Sequence, residues 1–468
     1  MLIPPSPPNF FKLGLCAIMS TPSSSSADLV SLEDIQKAHA RVAPFTHYTP
    51  LLTNQAVDSL VTEALFAETE ASSPRVRVAF KAEHLQRVGA FKYRGATNSV
   101  LVHLEAAKAQ HETDTTQQGE FSADRLVVVT HSSGNHAAAL ACAARSAGCI
   151  AAVVMPENAP KPKKEAVAGY GARITLCKPT LEARESTAKA VMDSYEEQGY
   201  TVRFVHPYDE PLVIAGQGTM ALEMLDQAPN LESRGACSHA AESKSSTSRP
   251  LFGSKNVAAA GPKADGTWRA RDPSEPVFDI VIAPVGGGGM LSGVSTAVKG
   301  ADSRIVVIGA EPDLVNDAFH SVQTGEVQSP PQPPKTICDG LLTSLSPLTL
   351  SHIQKNVDTI VTAREENVLK ALQLHWTRQK QFVEPSAAVG LATLLQGFNE
   401  AAQQLGASSD ADTPSDRSLW GLKHWVRAIA QQKAEAGEKQ PEIRIGVVWS
   451  GGNVEVAKVA AKFEEYGL

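Results

Sequence analysis

Short runs of aliphatic and β-branched residues recur along this chain, and most are followed by a stretch with the spacing of a helix. Residues 126–130 (LVVVT) are followed by AAALACAARS at 137–146, and 150–155 (IAAVVM) by a helical stretch over 161–169. Next come 172–177 (ARITLC) and a further helical stretch over 181–198. Continuous apolar runs of this length predict strands buried on both faces, and their alternation with helices predicts a parallel sheet. Residues 76–82 (VRVAFKA) alternate as a strand does, while 278–285 (FDIVIAPV), 305–310 (IVVIGA) and 443–449 (IRIGVVW) continue the buried pattern. In SLEDIQKAHAR, Ser31 and Asp34 stand where a capping box opens a helix. The expected fold class is α/β, with twisted parallel sheets and helices on both faces. A length of 468 residues exceeds one simple core and predicts two domains. The smaller is expected at 122–206, and the larger at 31–121 with 207–468.

Three segments break the pattern. Residues 1–30 are rich in Pro and Ser and are expected to be disordered. Residues 228–276 read as a low-complexity insertion and 402–441 as a charged helical one. Composition adds exclusions. A net charge of -7 without a basic run argues against a nucleic-acid partner. No apolar run approaches the ~18 residues that cross a bilayer, so no membrane partner is expected. The N-terminus lacks the Arg-rich pattern of a transit peptide, and a cytoplasmic location is the expectation. The six cysteines form no CxxC pair, which argues against zinc.

Four islands at the ends of predicted strands carry the chemistry: GAFKYRG (89–95), SSGNH (132–136), GGGG (286–289) and SGGN (450–453). Gly286, Gly287, Gly288 and Gly289 follow the most apolar strand and open a helix. There several N–H groups converge on one anion and the helix dipole adds positive potential, which makes a phosphate cup. A dinucleotide site is the rival, because Glu311 follows the next strand where a ribose-binding acid would stand. Against it, the turn comes late in the chain and a dehydrogenase has no use for the lysine island. Lys92 alone reads as a surface lysine. Between Phe91 and Tyr93 it also suits a Schiff-base lysine, which needs a partly desolvated amine and a flat neighbour. SSGNH offers hydroxyls, an amide and a helix N-terminus, suited to a carboxylate and a ring hydroxyl, or to a plain N-cap.

With these islands in this order, residues 34–458, apart from the two insertions, resemble the fold-type II pyridoxal-phosphate (PLP) enzymes, which are tryptophan synthase β-like. Among them the likeness is to the serine racemase and serine/threonine dehydratase family, including threo-3-hydroxyaspartate ammonia-lyases. The resemblance implies PLP held covalently by Lys92, with Phe91 against its ring, Asn135 at its ring hydroxyl and Ser450 facing its pyridine nitrogen. It places the cofactor phosphate on the glycine turn. Ser132, Ser133 and His136 would surround the carboxylate of a small amino-acid substrate, with Arg184 and Asp339 also on the substrate side. Glu311, the carbonyl of Val315 and Asp317 would hold Mg²⁺, or Mn²⁺ or Ca²⁺, all of which favour oxygen ligands. Lys92 and Ser133 would act on opposite faces of the substrate Cα, giving racemisation of serine together with ammonia loss from L-serine or L-threonine. In the family, racemases and hydroxyaspartate dehydratases carry serine at the place of Ser133, and biosynthetic threonine dehydratases carry alanine. Val88 and Ala138 stand where ATP-responsive racemases have polar residues, which argues against nucleotide activation. The resemblance also implies a homodimer. Open alternatives are a threo-3-hydroxyaspartate ammonia-lyase without racemisation, a β-replacement synthase, a nucleotide-binding dehydrogenase and a catalytically silent PLP-binding relative.

Overall fold

The structure is a computed structural model that describes residues 29–66, 74–113, 120–132, 134–229, 276–397 and 417–468. Ser133 lies outside the described residues, as do 1–28, 230–275 and 402–416 of the three segments that break the sequence pattern.

The described strands are β1 (Leu51–Thr53), β2 (Arg75–Ala82), β3 (Leu126–His131), β4 (Ile150–Pro156) and β5 (Arg173–Cys177). They continue with β6 (Thr201–Phe204), β7 (Ile280–Pro284), β8 (Val306–Pro312), β9 (Thr359–Ala363) and β10 (Glu442–Trp449). Six of them form one sheet in the order β1-β2-β10-β7-β8-β9, and four form another in the order β5-β4-β3-β6. Every pairing is parallel except β1 with β2. The fold is thus α/β with parallel-dominated sheets, as the alternating pattern implies. The strands legible in the sequence are the continuous apolar ones and the alternating β2. The three-residue β1 and the four-residue β6 are too short to give a period, and in β9 Thr359 and Thr362 interrupt the apolar run.

Side-chain alternation splits each sheet between two cores. Val76, Val78 and Phe80 of β2, with Ile280 and Ile282 of β7, face one side of the larger sheet. Ala79, Val281 and Ala283 face the other. In the smaller sheet Leu126 and Val128 point to one face, and Val127 and Val129 to the opposite one. Helix Leu422–Glu435, within the segment read as inserted, packs Leu422, Trp425 and Val426 into the core of the larger sheet.

Three helices fix the relation between the lysine island and the glycine turn: Lys92–Thr113, Pro211–Gln227 and Gly289–Ala301. They meet at backbone distance. A Cβ on Gly216 would lie 2.6 Å from the Gly95 Cα, and one on Gly293 would lie 2.3 Å from the Ile214 carbonyl oxygen. Glycine is required at these crossings, because any side chain there would force the helices apart. Beneath the first turn of the Lys92 helix lies a buried charge network. The Arg94 guanidinium donates to Glu83 at 2.8 Å and to Glu223 at 2.7 Å, and the Lys81 amine reaches Glu223 at 2.6 Å. Burial opposes the Arg94 charge, but Glu223 and Glu83 more than restore it.

Candidate active site

The four islands occupy C-terminal ends of parallel strands, the place where open α/β sheets bind ligands. The glycine turn follows β7, SGGN follows β10 and SSGNH follows β3. The lysine island follows β2 after two short helical turns. It is stitched to SGGN through backbone. The Phe91 N–H donates to the Ser450 carbonyl at 3.0 Å, and the Gly452 N–H to the Gly89 carbonyl at 2.9 Å.

Lys92 is half-buried, and its amine donates to the Pro207 carbonyl at 2.7 Å. It lies 5.1 Å from the Phe91 ring centre. Burial lowers its pKa to about 8. At neutral pH about a tenth of such amines are uncharged, against fewer than one in a thousand for a free lysine. The next residue, Tyr208, lies against the glycine turn: a Cβ on Gly287 would sit 2.5 Å from its ring, and one on Gly289 would sit 2.8 Å from its Cβ. A single dipeptide, Pro207–Tyr208, therefore bridges the lysine amine and the glycine turn. Gly288 adopts a left-handed φ of 84° at the entry to the Gly289–Ala301 helix. Ser450 is buried, and its hydroxyl has no hydrogen-bond partner.

On the other side of the cleft stand residues of the smaller sheet. Ser132 and Asn135 are half-buried, and the Asn135 amide donates toward Glu384 at 3.3 and 3.4 Å. His136 is buried, with Nε2 3.2 Å from the Val205 carbonyl and Nδ1 unpartnered. Burial and then the Lys92 charge lower its pKa to about 3. His206 falls to about 4 mainly through burial. Arg184, on the Leu181–Glu197 helix, is half-buried and close enough for its charge to act on His131 and Tyr208. Asp339 is held in an ion pair with Lys163 at 2.8 Å, which ties the Lys161–Gly169 helix to the turn after Cys338.

Glu311 and Asp317 come together at the end of β8. Glu311 accepts from the Ala318 and Phe319 N–H groups, both at 2.9 Å. Burial, then the Asp317 carboxylate, raises Glu311 well above the usual range. Burial lifts Asp317 to about 6, and its Oδ2 has no hydrogen-bond partner. Among the described residues no three His, Cys, Asp or Glu side chains gather as a metal cluster. The set implied by resemblance has only two such side chains plus a carbonyl. No described helix is long and apolar enough to cross a membrane.

Sequence reasoning missed Tyr208 and Glu384 in this region, and for Val88 it missed the backbone conformation and the contact with Asn453. Tyr208 has no signal beyond its aromatic character. Val88, at φ 58°, is a β-branched residue in the left-handed region, and its carbonyl accepts from Asn453 Nδ2 at 2.7 Å. That strain is of order 1–3 kcal/mol. Glu384 did leave a trace, as the one acid in the apolar run FVEPSAAVGLATLL.

Residues 60–243 and 236–410 match the model of a family described as pyridoxal-phosphate dependent enzyme. A serine racemase of Dictyostelium discoideum is 32% identical over 432 residues, covering 92% of this chain and 97% of the relative. A beta-hydroxyaspartate dehydratase of Paracoccus denitrificans is 35% identical over 366 residues, 78% of this chain and 90% of its own length. The crystal structure of serine racemase from Dictyostelium discoideum superposes with a TM-score of 0.61 at 31% identity. It covers 91% of this chain and 99% of that structure.

Proposed function

The chain belongs to the pyridoxal-phosphate dependent enzymes of fold type II, and on that premise we propose that it racemises serine and releases ammonia from L-serine or L-threonine to give a 2-oxo acid. The observation that carries this reading is the inward-turned Lys92 amine, one residue removed from the side chain that covers the glycine turn. The residues present fit PLP. A lysine with a lowered pKa is available to its aldehyde, glycine N–H groups to its phosphate, and an unpartnered buried hydroxyl to its pyridine nitrogen.

PLP bound there supplies an electron sink that acidifies the substrate Cα proton. The chain's own groups decide between the possible outcomes. Phe91 flanks the lysine amine. Ser450 would give the ring nitrogen a neutral partner and so a weaker sink than an acid would, which suits loss of a β-hydroxyl. Ser132, Ser133 and His136 orient the substrate carboxylate, with Asp339 also assigned to the substrate side. Lys92 removes the Cα proton on one face, and the Ser133 hydroxyl serves the other. Two groups on opposite faces are what racemisation requires, whereas elimination needs only Lys92. Glu311, the Val315 carbonyl and Asp317 fit a hard divalent cation, Mg²⁺ first. The support is the buried, unpartnered Asp317 carboxylate oxygen beside the buried Glu311, two acids whose mutual repulsion a cation would offset.

A second reading is favoured by one observation. The Arg184 charge acts on His131 and Tyr208, next to the residues assigned to the substrate, where it would suit a second carboxylate, as in threo-3-hydroxyaspartate. We further propose that 122–206 forms the smaller domain, that the enzyme works as a cytoplasmic homodimer, and that the substrate enters between the two sheets.

Borohydride treatment of the purified protein should fix the cofactor on a peptide containing Lys92. Keto-acid and enantiomer assays over serine, threonine and hydroxyaspartate, with and without EDTA, then assign substrate and metal. Ser133→Ala should abolish racemisation and spare elimination from one enantiomer. A colourless protein whose mass is unchanged by borohydride would end the reading.

A further inference from the structure

We propose that Glu384 is a positioning residue for the cofactor: its buried carboxylate fixes the Asn135 amide in the one orientation that leaves an N–H free for the PLP ring hydroxyl. This rests on the reading of Asn135 as the group at that hydroxyl.

The argument starts from an amide that could point either way. Asn135 Oδ1 accepts from Asn453 Nδ2 at 2.9 Å, and the same Asn453 nitrogen donates to the Val88 carbonyl at 2.7 Å. A backbone carbonyl can only accept, so the nitrogen end of Asn453 must face Val88 and Asn135. Asn135 then turns its oxygen to Asn453 and its nitrogen to Glu384, whose carboxylate is an acceptor. Neither end of this chain can be inverted without losing a hydrogen bond. One Asn135 hydrogen serves Glu384, and the second remains for a cofactor oxygen.

The surroundings are shaped to keep the carboxylate in place. Glu384 is 3% exposed. Its Oε2 accepts from the Asn453 N–H at 3.2 Å, and its own N–H donates to the Gly451 carbonyl at 2.9 Å. A Cβ on Gly451 would lie 2.9 Å from both carboxylate oxygens. The SGGN turn therefore needs glycine at 451 because Glu384 stands behind it. The charged groups facing Glu384 are Asp339, which disfavours its charge, and Lys163, which favours it from across the Asp339 ion pair. No cation touches the carboxylate directly among the described residues. A buried acid without a direct counter-ion is costly, and a leucine would fill the volume without that cost. The acid is explained by what it does to Asn135.

The test uses the full-length holoenzyme and its cofactor-free form prepared with hydroxylamine. PLP affinity is measured by absorbance titration, and the pH midpoint of the bound cofactor's visible band is recorded. In Glu384→Gln the amide chain gains a partner that can present either end. At pH 8, where the Glu384 carboxyl is ionised, affinity should fall about tenfold or more, as for loss of a hydrogen bond to a charged group, and the midpoint should move. Asn453→Ala, which breaks the other end of the chain, should shift both quantities in the same direction, so the idea stays testable if one variant folds poorly. Combining Glu384→Gln with Asn135→Ala should add little to Asn135→Ala alone. Unchanged affinity and midpoint in both single variants, or fully additive effects in the double variant, would overturn the proposal. Failure of the wild-type chain to take up PLP on Lys92 would instead sink the functional reading, and that is read before any variant is made.

Discussion

In the larger sheet β7, β8 and β9 are buried at every position, and helix Pro385–Gln396 beside them is buried in all but its last two residues. In the smaller sheet the edge strand β5 buries only Cys177. The helices that cover it, Lys161–Gly169 and Leu181–Glu197, bury only Val167 and Ala188. The larger sheet carries Lys92, the glycine turn, Ser450 and the Glu311–Asp317 pair. The smaller one contributes Ser132, Asn135, His136 and Arg184. Groups assigned to the cofactor and metal thus stand mostly on densely buried elements. Of the groups assigned to the substrate, Arg184 stands on one of the sparsely buried helices, with less burial to lose when it shifts, whereas Ser132 and His136 stand at the junction of β3 and the helix Asn135–Ala147, both largely buried. Asn135 is the cofactor ligand on the smaller side, and it has the buried acid Glu384 behind it.

The contrast can be broken most directly beneath Lys92. Arg94→Met leaves Glu83 and Glu223 buried with Lys81 as the one close lysine or arginine among the described residues, and should cost about 3–5 kcal/mol of stability by chemical denaturation. A loss under about 1 kcal/mol would mean that the larger region is not held as tightly as its burial suggests. Two leucines compare the sheets next. Leu391→Ala, at 0% exposure, should cost about 2–5 kcal/mol, while Leu176→Ala, at 51%, should stay within about 0.5 kcal/mol. Equal losses would erase the distinction.

Glu384 gives a pH-dependent test. Burial, with the Asp339 carboxylate beside it, raises its pKa to about 7. Between the ordinary glutamate range and that value the folded protein holds a proton that the unfolded chain has released, so its stability falls as pH rises through this window. Glu384→Gln removes the dependence. It should leave stability nearly unchanged at pH 4 and raise it by up to about 3 kcal/mol at pH 8, read as the difference between the two denaturation curves. A difference that shrinks with rising pH would contradict the sign. A small effect is also expected at the link between the regions. Lys163→Met removes a partly exposed pair with Asp339, and should change stability by less than about 1 kcal/mol. It should speed hydrogen exchange in Lys161–Gly169 more than in Pro385–Gln396.

Much of this was legible in the chain itself. The buried strands announced themselves as apolar runs, the capping box at Ser31 appears as expected, and helix Lys161–Gly169 falls where its spacing placed it. These features are local, set by a few neighbouring residues, so one-dimensional pattern suffices. The islands were equally legible, because glycine repeats and a lysine flanked by aromatics are rare away from ligands. Tyr208, Val88 and Glu384 were not, since each acts through a residue distant in sequence: the glycine turn, Asn453 and Asn135 respectively.

Composition and spacing therefore settled the fold class and the strand ends that matter, and the resemblance carried by the four islands implied the kind of cofactor. Tertiary structure alone decided which way each amide faces, how far an amine or a carboxyl departs from its ordinary pKa, and which acids lie together. Those properties depend on desolvation and on distances of a few ångströms between segments hundreds of residues apart, and a linear pattern contains neither.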